Sequence, residues 1–308
     1  MLCKRNRLRL GGPPPFREFE RRSKSAILYV VSPRHLLVVD ADPAVHDLFS
    51  SLATREARTI QDVYDGRDAL EHLKTTAFDL VVAGQGTNGL NGVKFLRRLR
   101  AVRPDTKVIM AGDLDKAQVL GAIRHRAYSY FRKPLPATPM AEMVQQALDS
   151  SAWLDDIRVI SARPEWITLD VRCKIEAADR TTHFIRELET DIPAQAREDI
   201  AGAFRELLMN AIEHGCKSDP RKLVRTSLIQ TAKSLIVHIH DPGKGFSLSL
   251  LPHAAISNPE DSPIQHAAVR AQCGKRPGGF GILMTRNLVD ELMYNERGNA
   301  VMFVKYLH

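Results

Sequence analysis

Glu206, Asn210 and His214 stand at i, i+4 and i+8 in the run Glu206-Leu-Leu-Met-Asn210-Ala-Ile-Glu213-His214-Gly215. On a helix that spacing puts all three on one face, with Leu207, Leu208, Ala211 and Ile212 turned mostly elsewhere. A stripe of carboxylate, amide and imidazole beside an apolar stripe can gather metal, water and phosphate. Alone, it also fits a solvated helix face. A second run, Asp241-Pro242-Gly243-Lys244-Gly245-Phe246, places an acid at a strand end before spaced glycines. Such glycines let backbone approach a ligand closely, although Asp-Pro-Gly is also common turn chemistry. A third run, Gly278-Gly279-Phe280-Gly281, opens a helix, where free N–H groups and the helix dipole favour an anion.

Those groups need a scaffold. From His35 onward, short apolar runs alternate with helical patterns. Leu36–Val39, Thr59–Val63, Phe78–Ala83, Lys107–Ala111 and Tyr128–Phe131 read as strands. Residues 43–57, Gly66–Lys74, Val93–Val102, Ala117–Arg126 and Pro139 to about Ser151 read as helices. Five β-α units predict a parallel sheet with helices on both faces, in the order of a flavodoxin-like α/β fold. From Trp166 the pattern changes. Ile167–Ile175 alternates as a strand, 177–190 and Pro193–His214 are helical, and Arg225–Gln230 and Leu235–His240 are strands. A long polar stretch, Pro242–Pro277, precedes a helix over Ile282–Leu292 and a last strand over Ala300–Tyr306. An antiparallel sheet with helices on one face, an α+β two-layer sandwich, is expected. The expected organisation is a basic tail (1–34), a first domain (35–137), a helical linker (138–163) and a second domain (164–308).

Val38-Val39-Asp40, Leu90-Asn91-Gly92 and Phe131-Arg132-Lys133-Pro134 fall in the order of the landmarks of a response-regulator receiver domain, and residues 35–150 resemble one. That family places two acids after its first strand to hold Mg²⁺ and a phosphoacceptor Asp after the third. A hydroxyl after the fourth and a lysine after the fifth contact the phosphate. The metal offsets the repulsion between phosphate and carboxylate. Here the acidic pair reads Asp40-Ala41, the acceptor position is Gly84, and the hydroxyl position falls on Ala111 or Gly112. Only Lys133 remains, and its charge is expected to pair with Asp40. Asp42 lies one residue past the acidic pair. Asp79 sits at the far end of its strand, about 16 Å away, and cannot substitute. The resemblance therefore implies a pseudo-receiver that takes no phosphate and serves in docking or dimerisation.

Taken together and in order, the three downstream motifs resemble the N-box and the two glycine boxes of the GHKL ATPase superfamily. Residues 165–308 are most similar to its anti-sigma-factor serine kinases, because the short second box runs into Leu288-Val289-Asp290-Glu291-Leu292 and then Gly298-Asn299-Ala300-Val301. The resemblance implies a Bergerat-type ATP site: Asn210 on Mg²⁺ at the ATP phosphates, Glu206 orienting or deprotonating the nucleophile, and Asp241 on the adenine amino group. His214, Gly243, Gly245, Gly279 and Gly281 would line the nucleotide pocket, and 247–277 would be its lid. It also implies phosphorylation of Ser/Thr on a protein partner, or its sequestration. In that branch the partners are an anti-anti-sigma protein and a sigma factor; a homodimer is compatible with either domain. A nucleotide-gated binder without kinase activity is the alternative. A histidine autokinase is disfavoured. His183 lies only 27 residues before Asn210, inside the ATPase-like region, and reads as a surface residue.

Composition narrows the classes further. The chain has 308 residues, 44% hydrophobic and 26% charged, as in a globular protein. No apolar run approaches the ~20 residues of a membrane span, and the basic N-terminus leads into Gly11-Gly12-Pro13-Pro14-Pro15 and not an apolar signal core. Of the net +8, residues 1–24 hold eight Lys/Arg against two acids, which leaves 36 basic and 34 acidic residues elsewhere. The folded part is nearly balanced, so direct nucleic-acid binding is not expected of it. Cys3, Cys173, Cys216 and Cys273 are scattered, which argues against zinc or a disulfide framework and fits a reducing cytoplasm.

Overall fold

The structure, a computed structural model, describes residues 34–53, 58–84, 92–113, 115–150, 156–163, 165–188, 192–246 and 280–307, with single positions between them. The basic tail up to 33, Asn91, Gly279, Cys3, Cys273 and nearly all of 247–277 lie outside the described residues.

The first sheet contains β1 (Arg34–Val39), β2 (Arg58–Val63), β3 (Leu80–Gly84), β4 (Lys107–Ala111) and β5 (Ser129–Phe131). All pairs are parallel and the order is β2-β1-β3-β4-β5, the flavodoxin-like order. Alternate residues of the apolar strands face opposite layers. Leu37, Val39, Val81 and Ala83 pack under α2 (Gly66–Thr75), α3 (Gly92–Val102) and α4 (Lys116–Arg124). Leu36, Val38, Leu80 and Val82 pack under α1 (Pro43–Ala53) and α5 (Ala137–Asp149). Asp115 starts α4 with a reciprocal capping box to Gln118.

The second sheet contains β6 (Ile157–Arg163), β7 (Trp166–Arg172), β8 (Leu223–Gln230), β9 (Ser234–His240), β10 (Glu291–Tyr294) and β11 (Ala300–Tyr306). It is antiparallel throughout, in the order β10-β11-β9-β8-β7-β6. One face is covered by α6 (Ile175–Leu188), α7 (Ala194–Asn210) and α8 (Gly281–Leu288). The other carries polar pairs: Asp170 on β7 lies between Arg158 of β6 (2.6 Å) and Arg225 of β8 (2.8 Å). Burial of Asp170 works to raise its pKa, but the hydrogen bonds from Arg225 and Arg158 outweigh it and hold the carboxyl below its ordinary value.

Several elements differ from expectation. The segment 138–163 is not a helical linker. Its helix, α5, buries Met140, Val144 and Ala147 on the first sheet, and β6 is an edge strand of the second. The helix expected over Ile282–Leu292 stops at Leu288, where Val289 turns extended, and Glu291–Tyr294 pairs with β11. Sheet pairing wins there because the last strand offers an open partner edge. Cys173 and Cys216 also depart from expectation. They form a disulfide, with Cα atoms 6.5 Å apart, between the end of β7 and the end of the α7 region. A separation of 43 residues hides that proximity from a sequence reading.

The two sheets meet through α6, which packs on β5 and α4. Arg180, 2% exposed, donates to the carbonyl of Tyr128, the residue before β5 (2.8 Å), and pairs with Asp156 (3.4 Å). Its guanidinium lies 4.2 Å from the Tyr128 ring centroid and 5.4 Å from that of Trp153. One turn on, His183 is buried and not at the surface as expected. Its Nε2 bonds the Tyr130 carbonyl, and its ring lies 4.3 Å from Phe131.

Burial pushes the His183 pKa down to about 4, against the raising effect of the Tyr130 bond. The folded chain therefore binds fewer protons here than the unfolded chain between about pH 6.5 and about pH 4, and stability falls as pH drops through that window. In denaturant titrations, the wild type should lose stability from about pH 6.5 to about pH 4 more steeply than His183→Gln, which keeps an N–H donor but does not titrate. Identical pH slopes would show that another group carries the loss.

Candidate functional site

The altered receiver site lies at the carboxyl ends of β1, β3 and β5. Asp40 is 1% exposed, and Lys133 Nζ lies 2.9 Å from both of its carboxylate oxygens. Asp42 comes within 3.6 Å of the same Nζ, and its backbone N–H donates to Asp40 Oδ1 (2.9 Å). Ala41, the second acid's position, is exposed. Gly84 does more than remove a carboxylate. A Cβ built on it would fall 1.8 Å from Asp40 Oδ2. Asp40 thus fills the space of an acceptor side chain, and the lysine supplies the neutralising charge. Asp79 is engaged at the opposite strand end, where it accepts from the His35 N–H (2.8 Å).

The second site converges from three segments. Glu206 and Asn210, at the end of α7, are half-buried. A Cβ on Gly281, the first residue of α8, would lie 1.7 Å from Glu206 Oε1, so the Glu206 carboxylate sits against the start of that helix. Half-buried Tyr294 of β10 is close enough to feel Glu206: desolvation first, then the Glu206 charge, push its pKa up. After Asn210 the helix widens into a π turn, Ala211–Gly215, closed by the Cys216 N–H on the Ala211 carbonyl (2.8 Å). Such turns cluster at functional sites. The wider turn takes His214 out of the α-helical register with Glu206 and Asn210, and His214 is exposed.

The π turn instead delivers Gly215. Cβ atoms on Gly215 and Gly243 would lie 2.2 Å and 2.5 Å from Asp241 Oδ1, so both glycines keep open the space around that carboxylate. Asp241 is 8% exposed and accepts the Gly243 N–H (2.7 Å). Desolvation raises its pKa, opposed by the Gly243 bond and by His240 and Arg297. Asn299, which the sequence reading gave no role, holds this acid. Its side chain donates to the Asp241 carbonyl (3.1 Å), and its own carbonyl accepts the Asp241 N–H (3.0 Å). Gly245 (φ 78°) lies against the Arg297 carbonyl, as Gly298 (φ 73°) does against that of Phe246, at positions where a side chain would collide with backbone. The Gly-Asn pair at 298–299 was the one available signal in the sequence. Among the described residues, no three His, Cys, Asp or Glu form a metal-binding group. No helix there is long and apolar enough to cross a membrane.

Gly84→Asp is expected to leave the receiver site unable to take phosphate, because the new side chain must displace Asp40 from Lys133. The packing conflict should also cost about 1–3 kcal/mol of stability. Incorporation of radiolabelled phosphate from acetyl phosphate tests this; stoichiometric labelling of the variant would show that Asp40 moves aside.

Residues 36–145 match the response regulator receiver domain family, and residues 171–305 match the histidine kinase-like ATPase domain family. The transcriptional regulatory protein GlrR of Escherichia coli (strain K12) is 26% identical over 129 residues, which cover 41% of this chain and 29% of that protein. ZraR of Escherichia coli O157:H7 is 23% identical over 205 residues, 65% of this chain and 45% of that protein. TcrA of Mycobacterium tuberculosis (strain ATCC 25618 / H37Rv) is 26% identical over 205 residues, 59% of this chain and 81% of that protein. The chain thus spans less than half the length of GlrR and ZraR. Among solved structures, a receiver domain protein from Methanospirillum hungatei JF-1 aligns with TM-score 0.37 and 22% identity, over 38% of this chain and 95% of that one. The receiver domain of NtrX from Brucella abortus aligns with TM-score 0.35 and 27% identity, over 38% and 99%. By its sheet order, its site geometry and these two family matches, the chain carries a response regulator receiver domain followed by a histidine kinase-like ATPase domain.

Proposed function

We propose that the chain is a cytoplasmic signalling regulator that binds Mg-ATP in its second domain and phosphorylates Ser/Thr on a protein partner, or sequesters that partner. The receiver domain acts as a fixed docking module. The observation that carries this reading is the convergence of Glu206, the opening glycine of α8 and the glycine-flanked Asp241 from distant parts of the chain. These groups fit an adenine nucleotide. Asp241 offers a buried acceptor to an exocyclic amino group, and the start of α8 offers N–H groups to phosphate. Asn210 and Glu206 are hard oxygen donors of the kind Mg²⁺ takes. When bound, the metal offsets phosphate charge, and the chain's own part is to hold and orient.

The expected partner is of the anti-anti-sigma or sigma-factor kind, by resemblance to the anti-sigma-factor serine kinases. The similar transcriptional regulatory proteins fit a role in controlling gene expression. A phosphorelay through His183 is disfavoured, because that ring is buried and its Nε2 is engaged with Tyr130.

Calorimetric titration of Mg-ATP should show saturable binding to the wild type, at least tenfold weaker binding to Asp241→Ala, and loss of the magnesium dependence in Asn210→Ala. Glu206→Gln should keep binding but lose phosphoryl transfer to a partner or to water by 10²-fold or more. If Glu206→Gln matches the wild type, the nucleotide gates binding only. No binding at millimolar nucleotide would sink both forms of the proposal.

A further inference from the structure

A cavity of about 770 Å³ lies between the C-terminal end of α4 and the edge strand β6. Its lining includes Arg124, Arg126, Arg158, Arg163 and Arg172 and no acidic residue. None of these arginines belongs to the nucleotide site. Two are held as struts: Arg158 pairs with Asp170 (2.6 Å), and Arg172 donates to the Pro220 carbonyl (2.8 Å) and lies 3.9 Å from Asp156. Arg124 reaches across from α4 to the Ala162 carbonyl of β6. Arg126 and Arg163 are exposed and carry no ion pair among the described residues.

Arg126 stands where the backbone favours glycine. Helix α4 ends with the Ala127 N–H on the Ala122 carbonyl (2.8 Å) and the Arg126 N–H on the Ile123 carbonyl (2.9 Å), a closure that puts Arg126 at φ 60°. Glycine takes that conformation freely, whereas a residue with a side chain is strained there. The chain accepts that strain and gains a guanidinium at the rim of a cavity already lined with four others.

We propose that this cavity binds a compact phosphate-bearing anion, of nucleotide size or smaller, at the junction of the two domains. Guanidinium forks match phosphate oxygens in pairs, and the volume is that of a small-molecule site. The wall between the arginines is apolar, formed by Ile157, Val159 and Leu223, and offers a surface to a base or an alkyl group. An added peptide strand is the poorer occupant. The register of β6 breaks at the bulge between Val159 and Ser161, and Arg124 already covers the Ala162 carbonyl.

The test uses the full chain and inorganic pyrophosphate as probe, titrated by calorimetry without magnesium. The wild type should show one saturable site. Arg126→Gly combined with Arg163→Ala should weaken it at least tenfold, while Arg126→Gly alone should raise the melting temperature by relieving the backbone. Arg67→Ala, a surface change on α2, should leave pyrophosphate binding as in the wild type. Binding unchanged in the double variant, or absent at millimolar probe, overturns the proposal. Equal weakening by Arg67→Ala overturns it by showing a diffuse charge effect.

Discussion

A single buried guanidinium, that of Arg180, organises this molecule. Desolvation pushes the Arg180 pKa down, and its neighbours Tyr128 and Asp156 work in the opposite direction. The Tyr128 carbonyl just before β5, the Asp156 carboxylate and two aromatic faces surround it. Such an arrangement is strongly destabilised when one member is removed. It therefore fixes how α6 meets the receiver sheet, and His183 repeats the same device one turn later with a neutral ring. Helix α6 in turn packs on α7, which ends in Glu206 and Asn210. Glu206 and Asn210 are thus tied, through the packing of α7 on α6 and of α6 on β5, to the sheet of the receiver domain.

The site itself is assembled from subtraction. Glu206 and Asp241 each occupy volume that a neighbouring glycine leaves open, at Gly281 for the first and at Gly215 and Gly243 for the second. Loop 241–246 and the turn before β11 lock together through two left-handed glycines and the Asn299 side chain, so Asp241 is held by backbone bonds while its carboxylate stays available. The π turn is part of the same economy of space. It exchanges His214, which an α-helix would present, for the close approach of Gly215.

Strand and helix periods made the first domain readable almost whole, because its strands other than the edge strand β2 are largely buried and its helices are amphipathic. The second was legible in its motifs more than in its elements. Strand β6 and the short β10 read poorly because each owes its form to a neighbouring strand: Leu288–Leu292 is equally apolar as a helix or as an edge. His183 read as a surface residue because nothing local announces a partner 53 residues away. The Cys173–Cys216 bond and the Asn299 clamp are also products of long-range folding. Gly84, by contrast, could be read in advance as a lost acceptor. That Asp40 expands into its space could not.

The Asp40–Lys133 pair gives the receiver domain a counter-ion that is part of its own chain. A metal ion can be chelated and a phosphate can be hydrolysed, but a lysine 93 residues along the same polypeptide is always present at the same effective concentration. The charge at that corner is therefore set by the sequence itself, and it turns over only when the polypeptide does.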